Sequence, residues 1–105
     1  MTAVARAAFV LTIRPDRIEQ YVAAHAEVWP ELRRAISDAG IRNYSIFLHG
    51  NQAFGYLESD DLDHAWQYLA GQEVNRRWQD AMADLLDARV RDDGPAMLPE
   101  IFRLE

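Results

Sequence analysis

The chain has 105 residues, half of them hydrophobic and 27% charged, enough for one globular domain spanning residues 1–105 and too few for a second. With 17 acidic and 11 basic side chains its formal charge is −6. That excludes the basic footprint nucleic acid or an anionic membrane surface requires, and suits a neutral or cationic small ligand. The lack of cysteine rules out disulfides, thiolate metal sites and cysteine nucleophiles, and no apolar run reads as a leader or membrane span, so the cytosol is the expected compartment.

Ala5–Ile13 alternates, with Ala7, Phe9, Leu11 and Ile13 on one side and Arg6, Ala8, Val10 and Thr12 on the other, which predicts a strand. Arg14-Pro15-Asp16 ends it, with Asp16 able to cap a helix starting at Arg17. From Arg17 the period becomes helical: Ile18, Tyr21, Val22, His25, Val28 and Trp29 form a stripe. Pro30 suits the first position of a helix and not its interior, so a break is expected around Val28–Pro30. Leu32, Ala35, Ile36 and Ala39 then carry an apolar face to Gly40, a helix terminator.

Ile41–Leu48 reads as a second strand, in which Tyr44, Ile46 and Leu48 alternate with Asn43, Ser45 and Phe47. His49-Gly50-Asn51-Gln52 predicts a hairpin turn. Ala53–Glu58 comes next as a third strand, with Gly55 marking a bulge or a close approach. Ser59-Asp60-Asp61 offers N-caps for a helix over Leu62–Leu69. Gln72–Leu86 is a longer helical segment with Val74, Trp78, Met82 and Leu85 or Leu86 in its stripe. Val90–Pro99 reads as a loop, and Glu100–Leu104 as a short closing strand.

The order β-α-β-β-α-β predicts an α+β, ferredoxin-like fold: a four-stranded antiparallel sheet with its helices on one face. The strands carry apolar residues on both faces, and monomers seldom leave such a patch open. A homodimer with sheets face to face, a ligand cavity lined by the second face, or both, are expected.

Tyr21, His25 and Trp29 recur every four residues, so on one helix they share a face. They are either amphipathic members of a core stripe or a proton-transfer group flanked by flat rings. An imidazole can both give and take a proton near neutrality. His49 at the hairpin and His64 in an acidic helix start are expected at the surface. No metal site is expected, because His25, Glu27 and Glu31 share no helix face well and no second histidine stands four residues on. No phosphate loop, dinucleotide fingerprint or nucleophile elbow occurs. Proton transfer without a cofactor, or binding alone, is the chemistry left.

One set of motifs is more specific. Ala8-Phe9-Val10, Tyr21 with His25, Trp29-Pro30-Glu31-Leu32, Gly40, Asn43-Tyr44-Ser45-Ile46, Phe54-Gly55, and Arg77-Trp78 ahead of Met82 together resemble the L-rhamnose mutarotase family. Its members are small cofactor-free isomerases that interconvert α and β sugar anomers. The resemblance covers nearly the whole chain. It implies a ferredoxin-like fold dimerised through its sheets as a dimeric α/β barrel, and a small neutral monosaccharide as ligand. It implies His25 as the catalytic acid, with Tyr21, Tyr44 and Trp78 at the sugar; Trp29 is a further candidate wall for it. Where the family carries a second tryptophan after Trp78, this chain has Gln79. Val90–Pro99 keeps only pieces of the family's Asn-Pro-Asp-Asn-Ser-Pro loop. Glutamine supplies a donor and an acceptor in place of a stacking plate, so L-fucose or another deoxy-aldose is an option beside L-rhamnose. The alternatives are a cofactor-free monooxygenase of the same barrel type and a non-catalytic ligand-sensing module.

Overall fold

A computed structural model describes residues 5–91 and 94–104. Met1–Val4, part of the stretch read for a leader, and Asp92 and Asp93, read as loop, lie outside the described residues.

Strand β1 (Ala5–Thr12) leads through a 3-10 turn at Pro15–Arg17 into helices α1 (Ile18–Ala26) and α2 (Pro30–Asp38). Strands β2 (Ile41–His49) and β3 (Gln52–Ser59) form a hairpin, succeeded by helices α3 (Leu62–Ala70) and α4 (Glu73–Ala83) and strand β4 (Ala96–Leu98). The sheet is antiparallel in the order β2-β3-β1-β4, the ferredoxin-like arrangement the element order predicts. Each helical limb of that plan is two shorter helices.

Local chemistry accounts for the joints. Pro30 opens α2, with Glu31 in its first turn, where a missing N–H costs nothing and a negative charge meets the helix dipole. Gly40 comes after α2 at φ 89°, the left-handed conformation that closes helices and that a side chain disfavours. Asp61 caps α3 by accepting from the His64 N–H at 3.0 Å. Asp16 makes no capping bond; it lies inside the 3-10 turn, so α1 starts beyond its reach. Gly50 takes φ 61° in the β2–β3 turn, as a two-residue hairpin requires of at least one central residue.

The closing strand is not Glu100–Leu104. It is Ala96–Leu98, within the segment read as loop, pairing Ala8 with Leu98, Phe9 with Met97 and Val10 with Ala96. Pro95 and Pro99 bracket three residues and interrupt the ladder on either side. The alternating apolar residues at 101–104 instead leave the sheet and are largely exposed.

The core has two clusters on the helix side of the sheet. One joins Phe9, Ile41 and Leu57 to Ala35, Ala39, Ala65 and Leu69. The other joins Ile13 and Ala53 to Tyr21, Leu32, Trp78, Met82 and Leu86. Gly55 stands opposite Phe9 in the ladder, and a Cβ there would fall 2.1 Å from the Phe9 ring. The glycine therefore marks a close approach: the ring occupies the volume its side chain would fill. The pleat puts Ala8, Val10, Phe47, Phe54, Tyr56 and Leu98 on the other face, where Phe47 is 66% exposed.

Candidate active site

A cavity of about 110 Å³ opens where the two core clusters meet, between Phe9 and Leu69 of one and Tyr21, Trp78 and Met82 of the other. A wider cleft of about 310 Å³ runs between α2 and β2. His25, Leu32, Ile36, Tyr44, Ile46 and Trp78 border both, so these six residues form the wall between the cavities.

His25 sits in the last turn of α1 with its Nδ1 2.8 Å from the Tyr21 carbonyl oxygen. A carbonyl can only accept, so Nδ1 carries the proton and donates. That fixes the tautomer of the neutral ring and leaves Nε2 as the nitrogen open to gain or lose a proton. Aromatic neighbours hold the ring: Tyr21 at 4.3 Å between centroids and Trp78 at 5.4 Å, edge to face.

Tyr21 is 4% exposed, and burial pushes its phenol up to about 12. Tyr21 lines the cavity, and no hydrogen bond to its hydroxyl is made among the described residues. Tyr44 keeps 38% of its surface open, yet its phenol is also raised, first by burial and then by the neighbouring Tyr21. Both hold because its open surface is cavity wall while its ring packs edge-on against Phe9 at 6.1 Å. Raised phenols stay protonated at neutral pH, so the two tyrosines can orient a hydroxylated ligand but not act as bases. Among the described residues no carboxylate lines either cavity, and His25 is the histidine that borders both.

Trp78, in α4, is buried and offers an indole to the cavity. Gln79 lines the same cavity, with its Nε2 3.5 Å from the Asn75 Oδ1 one turn earlier. Asn75 is a cavity residue that apolar periodicity does not single out, although Asn75, Trp78, Gln79 and Met82 recur at helical spacing and all four line the cavity. Trp66 of α3 is another, and its indole nitrogen would lie 3.0 Å from a Cβ on Gly94.

Trp29 stands apart from the other candidates. Grouping it with Tyr21 and His25 requires one continuous helix, but α1 ends at Ala26 and Glu27 leaves helical geometry at φ −136°, ψ 63°. Trp29 borders neither cavity. It packs edge-on behind Trp78, with centroids 5.1 Å apart, and the Arg77 guanidinium lies 6.0 Å above its ring. Arg77 in turn pairs with Glu31 at 3.5 Å, which ties the start of α2 to α4. His49 and His64 are exposed and lie away from both cavities.

A family model for L-rhamnose mutarotase matches residues 6–104. An L-rhamnose mutarotase of Oceanobacillus iheyensis is 35% identical over 104 residues, covering 95% of this chain and 98% of the relative. One from Bacillus subtilis is also 35% identical, with the same coverage. The crystal structure of an L-rhamnose mutarotase from Formosa agariphila superposes with a TM-score of 0.79 at 30% identity, covering 96% of this chain and 99% of that one. Tetracenomycin F2 cyclase of Streptomyces glaucescens, a type-II polyketide cyclase, shares the fold at a TM-score of 0.60 and 23% identity.

Proposed function

This chain belongs to the L-rhamnose mutarotase family, and from that membership we propose that it is an isomerase interconverting the α and β anomers of L-rhamnose. A related deoxy-aldose such as L-fucose is the finer option, because Gln79 and Asn75 add hydrogen-bonding groups to the cavity wall.

The observation that carries the reading is the hydrogen bond from His25 Nδ1 to the Tyr21 carbonyl. It aims a single exchangeable nitrogen, Nε2, from the wall of a cavity that no described carboxylate lines. Mutarotation needs little more. A proton goes to the ring oxygen as the anomeric hydroxyl gives one up, the C1–ring-oxygen bond breaks, and an open aldehyde forms. Rotation about C1–C2 then lets the ring reclose on the other face, with the protons returned in reverse. His25 Nε2 takes the proton of the anomeric hydroxyl when the ring is neutral, or gives one to the ring oxygen when the ring is the imidazolium, and water carries the other. Tyr21 and Tyr44 hold hydroxyls, and Trp78 supplies a flat wall for the C–H face of the sugar. Such general acid–base help contributes about 10² to 10⁴ in rate.

A homodimer formed through the open sheet faces belongs to the same proposal, and it would cover Val10, Phe47, Phe54 and Leu98. So do a single domain over residues 1–105 and a cytosolic location, the latter in keeping with a chain without cysteine. Among the described residues no helix is long and apolar enough to cross a membrane.

Saturation-transfer NMR of L-rhamnose and L-fucose, with wild type and His25→Ala, tests the assignment. Wild type should accelerate anomer exchange of at least one sugar, and His25→Ala should lose about 10² or more of that acceleration. Exchange undiminished in the variant would remove His25 from the mechanism. Wild type inert toward both sugars would overturn the substrate.

A further inference from the structure

The strand that delivers Tyr44 to the cavity is irregular at the point where it does so. Ile41 pairs with Ser59, and Arg42 with Glu58, in regular register; the next pair is Ser45 with Tyr56. Two residues of β2, Asn43 and Tyr44, thus face one residue of β3, Leu57, which is a β-bulge. Side chains alternate along a strand, and Ile41 points inward to the core. Counting on without the bulge, Asn43 would point inward and Tyr44 outward, to the face away from the helices. The extra residue reverses the parity from that point, and Tyr44 turns in against Phe9 and the cavity.

Asn43 absorbs the irregularity. Its φ is 49°, and it is the non-glycine residue in the left-handed region among those described. Asparagine tolerates that conformation better than most side chains. Its amide donates to Glu58 Oε1 at 2.9 Å, while the Tyr56 hydroxyl donates to Glu58 Oε2 at 2.6 Å. These two bonds hold the Glu58 carboxyl below the usual carboxylate range. The pleat places Glu58 and Tyr56 on the outer face of the sheet, so the carboxylate grips the bulge from the side opposite the cavity.

We infer that Asn43 and Glu58 are positioning residues: their hydrogen bond holds the bulge that aims Tyr44 at the ligand. The inference rests on the reading of Tyr44 as a ligand contact, and its test separates the two. Asn43→Ala and Glu58→Ala remove the clasp from either end, and Glu58→Gln keeps an acceptor oxygen for Asn43. The first readout is structural, the nuclear Overhauser contact between the Tyr44 and Phe9 rings. The second is the KM and kcat of anomer exchange, compared with Tyr44→Phe.

The contact should weaken in Asn43→Ala and Glu58→Ala and return in Glu58→Gln. KM should rise about tenfold in the two alanine variants, with kcat little changed, because His25 is untouched. Should Asn43→Ala fail to fold, the Glu58→Ala and Glu58→Gln pair decides alone. An unchanged ring contact in folded Glu58→Ala overturns the inference, whatever the kinetics. A displaced ring contact together with unaltered kinetics in Tyr44→Phe keeps the positioning role and removes Tyr44 from the ligand site. Wild type inert toward both sugars would overturn the proposed function and leave the ring-contact result to decide the inference.

Discussion

Replacing Gly55 by alanine is the sharpest test of how the cavity wall is packed. The new Cβ would lie 2.1, 2.2 and 2.7 Å from three carbons of the Phe9 ring. Carbon atoms rest about 3.5–4.0 Å apart, so the ring must retreat by about 1.5 Å. It has little room: Phe9 is 2% exposed and packs with Leu57, Ala35 and Ala39 on the core side and with Tyr44 at its edge. Overpacking of this kind costs about 1–3 kcal/mol, and the contact distances put Gly55→Ala near about 3 kcal/mol. For a domain of this length that lowers Tm by about 12–24 °C. Calorimetry on Gly55→Ala, Phe9→Leu and the double variant provides the measurement. Leucine withdraws the ring atoms that clash, so the double variant should recover more than about 1 kcal/mol over additivity. A Gly55→Ala protein that melts within about 4 °C of wild type, or an additive double variant, would refute the close-packed wall. The displaced ring should also disturb Tyr44 and slow anomer exchange.

Tyr21 should make the protein sensitive to alkali. Its folded pKa of about 12 exceeds the value of about 10 for an unfolded chain, so its contribution is complete below about pH 10 and is lost as pH rises through about 12. The loss is on the order of 3 kcal/mol. Denaturant unfolding across that range should show a shallower decline in Tyr21→Phe, and equal slopes would contradict the buried phenol. Trp29→Ala removes the plate behind Trp78 and should lower stability by about 2 kcal/mol. It should raise KM for sugar while sparing kcat; a loss confined to kcat would put Trp29 at the reacting atoms. Asp61→Ala removes the α3 cap and should cost about 1 kcal/mol, with anomer exchange intact after correction for folded fraction in a parallel melt.

The parts of the fold legible in the sequence are those governed by neighbours along the chain. Pro30 announces the break between α1 and α2, Gly40 announces the end of α2, and the strict alternation of β1 and β3 gives the ladder. Where tertiary partners decide, reading by period fails. The alternating residues at 101–104 look more like a strand than Ala96–Leu98 does, yet β1 pairs with the latter, and no local pattern records that choice. The alternation of Tyr44 and Ile46 against Asn43, Ser45 and Phe47 holds, but the bulge that lets Ile41 face inward with Tyr44 leaves no mark on composition. The spacing of four joins Trp29 to Tyr21 and His25, while the helix that gives the spacing its meaning ends three residues earlier. His25 and Tyr21 both lie inside α1, so for them the helical spacing and the shared face hold. Asn75 is a polar residue on the inward side of α4, a position that a search for apolar stripes passes over.

The bond that fixes the His25 tautomer has a bearing on catalytic readiness. In an α-helix the Tyr21 carbonyl is also the acceptor of His25's own backbone N–H, so one oxygen anchors both the main chain and the ring. α1 ends one residue later, at Ala26, in the turn where helices fray first. Each opening of that turn would release the amide and the imidazole together. Hydrogen exchange at the His25 amide therefore counts the time the ring spends aimed, and on the proposed mechanism helix-end stability would set the fraction of molecules ready to turn over before any sugar arrives.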